Sequence, residues 1–182
     1  MAAAETAGGN VLLIDANIRS PSVHRRFGIP LELGLRDCEA SAKPLIHIRA
    51  SGWHGLSLVT AGSDNRRSLH ALQRSGQLDT LAAQLATDFQ FVLWDAPPFN
   101  VYPDAGFLAP FVDGVVIVIE SDRTRIEEVA ELRRRLDYLD IAVLGAVLNR
   151  SRRYFGARRR SRSERLPVPR PKHNSLPWLL GG

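Results

Sequence analysis

Two short segments, VLLID at 11–15 and FVLWD at 91–95, each run through four apolar residues without interruption and then stop on an aspartate. Strict alternation of apolar and polar residues marks a strand with one wet face. An unbroken apolar run marks a strand buried on both faces. GVVIVIE (114–120) and IAVLGAVLN (141–149) repeat the pattern and also end on polar groups. Helical spacings lie between these runs. Leu69, Leu72, Leu78, Leu81 and Leu85 fit a helix over 67–87, with a break expected at Gly76. Ile126, Val129, Leu132, Leu136 and Leu139 fit one face of a helix over 125–139, with Thr124 as its cap. Strands alternating with helices predict an α/β fold, a parallel sheet with helices on both faces. Ligands meet such sheets at the carboxyl ends of the strands. Asp15, Asp95, Glu120 and Asn149 are therefore the residues to explain.

The remaining segments are less periodic. Residues 2–7, AAAETA, read as the last turns of an Ala-rich helix stopped by Gly8-Gly9. SPSVHRRFGI reads as a short helix opened by Ser20 and Pro21 and closed near Gly28. Residues 30–55 are turn-rich, with LIHI (45–48) a candidate edge strand. LSLVTAG (56–62) is a strand ending in small residues, and DAGFLAPFV (104–112) a short apolar helix or turn.

Charge divides the chain in two. Residues 151–182 hold eight Arg, one Lys and one Glu, about +8, whereas residues 1–150 sum to −3. The predicted domain is thus a mildly acidic globule over 1–150. The basic, Arg/Ser/Pro-rich tail over 151–182 is expected to be disordered. No apolar run approaches the roughly 20 residues that span a bilayer, and MAAAETAGG does not read as a secretory signal. Cys38 is the only cysteine, which excludes a disulfide framework and a Cys/His metal cluster. It reads as a small buried side chain.

A carboxylate at the end of a buried strand is costly unless it is paired or near a cation. Capping the next turn is one reason for it. Holding Mg²⁺ at a phosphate-handling site, where the acid also polarises an attacking hydroxyl or water, is another. One such Asp favours the cap. Two, each followed by its own turn, shift the balance toward the metal.

VLLIDANIRSPSVHRRFGIP resembles the second Walker-type motif of the bacterial tyrosine autokinases of capsule and exopolysaccharide synthesis, cousins of the MinD/ParA group of P-loop ATPases. FVLWDAPP resembles their Walker B motif. The stretch PDAGFLAPFVDGVVIVIESDRTRIEEVAELRRRLDYLDIAVLGAVLNR is similar to the rest of their catalytic domain. The resemblance covers residues 2–150. It implies a P-loop-type ATP site in which Asp15 activates the tyrosine hydroxyl and helps position Mg²⁺. Asp95 would lie near the Mg²⁺ and Arg19 beside the phosphates or the incoming hydroxyl. Asn149 would face the adenine, with Arg150 next to it. Read without the resemblance, Arg19 is a surface charge at a helix start and Asn149 a strand-end cap.

The chain departs from the pattern in three respects. Asn17 stands where the family usually has a second Asp. The 182 residues contain no G-K-[ST], and Lys43 and Lys172, the only lysines, lie outside any Gly-rich loop. The usual tyrosine-rich C-terminal cluster is replaced by an Arg run in which Tyr154 stands alone. The resemblance puts the first strand and the phosphate loop ahead of MAAAETAGG. Two expectations follow: a fragment or mis-started reading frame, or a degenerate homologue that does not turn over ATP.

The resemblance further implies Mg-ATP as cofactor, a cytoplasmic domain peripheral at the inner membrane, and a membrane-bound polysaccharide co-polymerase or chain-length regulator as partner. Assembly of several copies stays open. Alternative readings are a non-catalytic interaction module of the polysaccharide export machinery and a MinD/ParA-like membrane-positioning ATPase. For residues 151–172 the readings are a solvated linker, a strip for anionic lipid or an acidic partner, and, ranked below these, nucleic acid.

Overall fold

The computed structural model describes residues 10–38 and 46–151. The helical turns expected at 2–7 and the disorder expected of the tail lie outside the described residues. The chain divides into two compact units, Met1–Phe111 and Val112–Gly182.

In the first unit, β1 (Val11–Asp15), β3 (Leu56–Val59) and β4 (Phe91–Asp95) form a parallel sheet, with β1 between the other two. The short β2 (Arg49–Ala50) adds antiparallel to β3. The edge strand expected at 45–48 thus falls a few residues later, and Ile46–Ile48 carry no strand. Register assigns the two faces. Leu12 and Ile14 align with Ser57 and Val59 on one side and with Val92 and Trp94 on the other. Leu12, Ile14 and Val59 pack with Leu69 and Leu72 of α2 (Leu69–Arg74) and Leu78, Leu81 and Leu85 of α3 (Gln77–Asp88). Gly76, at φ 70°, separates these two helices where a break was expected. On the opposite face Val11, Leu56 and Leu58 pack against Val23 and Phe27 of α1 (Val23–Phe27). Helices thus cover both faces of this sheet. The cover on the α1 side stops short of β4, because Phe91 and Leu93 stay 47% and 44% exposed. The expectation that every apolar strand is buried on both faces therefore fails at β4, and it fails again in the strands at 115–120 and 143–149, where Val116, Val118, Leu144, Val147 and Leu148 are exposed.

A 3-10 turn at Leu35–Asp37 is fastened to the end of β3, with Leu35 N–H on the Thr60 carbonyl (2.8 Å) and Arg36 N–H on that of Ala61 (2.9 Å). The segment Pro103–Phe111 is 3-10 helical.

In the second unit, β5 (Val115–Glu120) and β6 (Val143–Asn149) pair in parallel, linked by α4 (Ile126–Tyr138). The N-cap of α4 is Arg125, whose N–H donates to Glu128 Oε2 at 3.2 Å. Thr124, expected as the cap, instead accepts from the Glu120 N–H through its hydroxyl at 3.1 Å. It closes the β5–α4 turn. No helix among the described residues is long and apolar enough to cross a membrane.

Candidate functional site

Asp15 and Asp95 are register partners at the carboxyl ends of adjacent parallel strands. Register partners on parallel strands point to the same side of the sheet. Two carboxylates thus share one side of one edge. Asp15 is fully buried. Its Oδ2 accepts from the Ser22 and Val23 N–H groups at 2.9 and 3.0 Å, at the start of α1. Its Oδ1 is buried with no hydrogen-bond partner. The capping role considered for an acid at this position thus falls to Oδ2, and Oδ1 is left without a partner.

Asp95 is exposed at the strand end. Desolvation, and then the negative charge of Asp15, push its carboxyl above the ordinary value, and Arg26 on α1 partly offsets them. A folded-state pKa above the unfolded 3.8 means that ionising Asp95 costs stability. The cost is absent below pH 3.8, where the group is protonated in both states, and it grows as pH rises through the raised value. Asp95→Asn is therefore expected to be more stable than the parent at pH 7, by an amount within about 1 kcal/mol at so exposed a site. The gain should vanish below pH 3.8, which urea midpoints at the two pH values would read. A destabilised variant at pH 7 would remove the like-charge account.

An unsatisfied buried carboxylate oxygen beside a second, mutually repelling carboxylate fits a bound cation. Magnesium takes about six oxygens and commonly keeps several waters. Among the described residues no three ligating side chains cluster, so water or substrate oxygens would complete the shell.

Arg19 lies on the loop after β1. Its Nε donates to Asp104 Oδ2, in the first turn of the 3-10 segment that follows β4. Its guanidinium carbon sits 4.9 Å from the centre of the Tyr102 ring. The hydrogen bond and charge of Asp104 hold the guanidinium above its ordinary pKa. Asn17 Oδ1 accepts from the Ser20 N–H at 3.3 Å and so serves the turn. Of the sequence candidates, Asp15, Asp95 and Arg19 belong to the first unit, and the first two meet in register. Asn149 and Arg150 belong to the second. There Arg150 donates from Nη1 to Glu120 Oε1 (2.6 Å) and from its N–H to Asn149 Oδ1 (2.9 Å). Sequence reasoning missed Asp104 and Tyr102. The only signal for Asp104 was an acid opening an otherwise apolar stretch.

No protein-family model matches the sequence. Over 143 residues the chain is 31% identical to Tyrosine-protein kinase YwqD of Bacillus subtilis, covering 78% of this chain and 60% of that protein. The kinase domain of VpsO superposes with a TM-score of 0.67 at 28% identity, over 82% of this chain and 74% of that one. The chain is a homologue of the bacterial tyrosine-protein kinases. Succinoglycan biosynthesis transport protein ExoP of Rhizobium meliloti is 29% identical over 80% of this kinase homologue and 19% of its own length. The homologue thus spans 60% of YwqD and about a fifth of ExoP. The α/β architecture with a parallel sheet agrees with these kinase domains, and the family resemblance read from Asp15 and Asp95 agrees with the named relatives.

Proposed function

We propose that this chain is the metal-and-acid half of a tyrosine-kinase-like domain that serves exopolysaccharide or capsule biosynthesis. The observation that carries the reading is the register pairing of Asp15 with Asp95, with the Asp15 Oδ1 left unsatisfied. In this reading Asp15 and Asp95 hold Mg²⁺, in part through water, and Asp15 orients the tyrosine hydroxyl whose proton must leave. Arg19 faces the phosphates. Asn149 and Arg150 border the base. When bound, Mg²⁺ neutralises charge on the transferring phosphoryl group.

Phosphates are wrapped by a Gly-rich loop with a lysine, and these 182 residues contain none. The chain by itself is therefore proposed to be weak or inactive as a kinase. Manganese, a paramagnetic substitute for magnesium, should broaden the amide signals of Asp15 and Asp95. Asp15→Asn or Asp95→Asn should abolish the effect. ATP added with the metal should bind no tighter than millimolar. Absence of broadening would overturn the half-site, and micromolar ATP affinity would overturn the proposed inactivity.

Asn17 in place of an acid favours a second reading, a non-catalytic module of the same export machinery. Both readings share a membrane-bound polysaccharide co-polymerase as partner. The +8 charge of residues 151–182 supports contact of residues 151–172 with an anionic leaflet. Near the surface each Arg contributes about 1 kcal/mol, falling off within a Debye length of about 8 Å. Co-sedimentation with anionic vesicles should drop steeply with salt and vanish when 151–182 is removed. Salt-independent binding would make the Arg run a solvated linker.

A further inference from the structure

The segments that follow β1 and β4 are tied together at one residue pair. Arg19 comes four residues after Asp15 and Asp104 nine after Asp95, and their ion pair joins the two segments. The burial is uneven. The Asp104 side chain is 5% exposed and that of Arg19 50%. The buried carboxylate holds the guanidinium at Nε, and the Tyr102 ring lies against it. Tyr102 is itself set by the turn after Pro98, whose carbonyl accepts from the Val101 and Tyr102 N–H groups at 3.1 and 3.0 Å. No hydrogen bond to a described residue engages the Arg19 Nη1 and Nη2 groups.

A free arginine side chain samples many rotamers and loses that freedom when it binds. One anchored at Nε and supported on a ring has already lost it. Its two terminal nitrogens then present a fixed fork of donors. Such a fork matches two oxygens of a tetrahedral oxyanion, and a lysine cannot reproduce it. We infer that Asp104 and Tyr102 are positioning residues that hold Arg19 as a preorganised receptor for a phosphate-class oxyanion. The inference rests on the reading of this sheet edge as a phosphate-handling site. It adds two residues from the second segment, so the edge is organised by both segments together.

The test uses the 182-residue chain with inorganic phosphate as the probe, at constant ionic strength set with chloride. Backbone amide shifts of residues 15–20 report binding. Wild type should show a saturable shift, and Arg19→Gln should lose it. Asp104→Ala and Asp104→Asn both remove the same charge, but asparagine keeps an acceptor oxygen for Nε. Their difference therefore isolates positioning from electrostatics. Asp104→Asn should bind phosphate about three- to tenfold tighter than Asp104→Ala, the range of one preorganising contact. Tyr102→Phe should stay close to wild type and Tyr102→Ala should weaken binding. The tyrosine pair keeps the test decisive if Asp104→Ala does not fold. A shift that survives Arg19→Gln, equal affinities within both pairs, or no saturable shift in wild type would each overturn the inference. Phosphate reports on Arg19 and manganese on Asp15 and Asp95, so failure of one leaves the other standing.

Discussion

Asp15→Ala is expected to destabilise the first unit by about 3 kcal/mol, the cost of stranding two amide donors that a carboxylate had satisfied. Both donors, Ser22 and Val23 N–H, belong to the start of α1, and Asp15 is fully buried. Val23 packs with Val11, Leu56 and Leu58, so loosening that turn also loosens the cover of one sheet face. Relief of the repulsion with Asp95 returns only a small part of the loss, because Asp95 is exposed. Asp15→Asn should fall between the two, since its carbonyl can still accept while its amide needs an acceptor. Urea unfolding at pH 7 measures all three. A loss below about 1 kcal/mol for the alanine variant would mean that water reaches these donors, and that the acid is held in place for its chemistry alone.

Gly34→Ala should be harsher, costing about 4 kcal/mol or preventing folding, the scale of a forced backbone displacement in a packed region. A Cβ at Gly34 would fall on the Thr60 carbonyl oxygen and the Gly62 amide nitrogen, and within 2.6 Å of Thr60 Oγ1. Two of these three are backbone atoms that no side-chain rotamer can move. The same turn is bound from several directions. Asp37 accepts from the N–H groups of Gly34 (2.8 Å), Ser63 (3.0 Å) and Asp64 (2.9 Å). The buried Arg36 donates to the Gly62 carbonyl and to Asn65 Oδ1. Yield of folded protein and the urea midpoint are the measurements. A soluble variant of near-wild-type stability would show that the turn at 34–37 can separate from the end of β3.

These two residues mark how far the sequence could be read. Asp15 was legible because an unbroken apolar run constrains both faces of a strand, so an acid at its end demands an explanation. The same logic picked out Asp95, but that the two strands lie side by side came from the structure, because a parallel sheet by itself leaves the strand order open. Gly34 was not legible. Residues 30–55 carry no period, and a glycine needed for close backbone approach looks like any other turn glycine. Asp104 was hidden for a different reason. Its partner, Arg19, lies 85 positions away, and nothing local distinguishes it from a helix-capping acid. Thr124 was misassigned because a threonine before a helical period suits a cap and a turn closure equally well. The full burial expected of β4, β5 and β6 was an over-reading of their apolar runs, which specify what a strand can tolerate and not what covers it.

Strand β4 is the last strand of its sheet, and two large apolar side chains on one of its faces remain in water. An unpaired edge flanked by exposed phenylalanine and leucine is a template for adding another strand, native or not. At high concentration, copies of these 182 residues would meet first along that edge. Selection for solubility would then act on Phe91 and Leu93, two positions that lie outside the phosphate-handling chemistry proposed for Asp95.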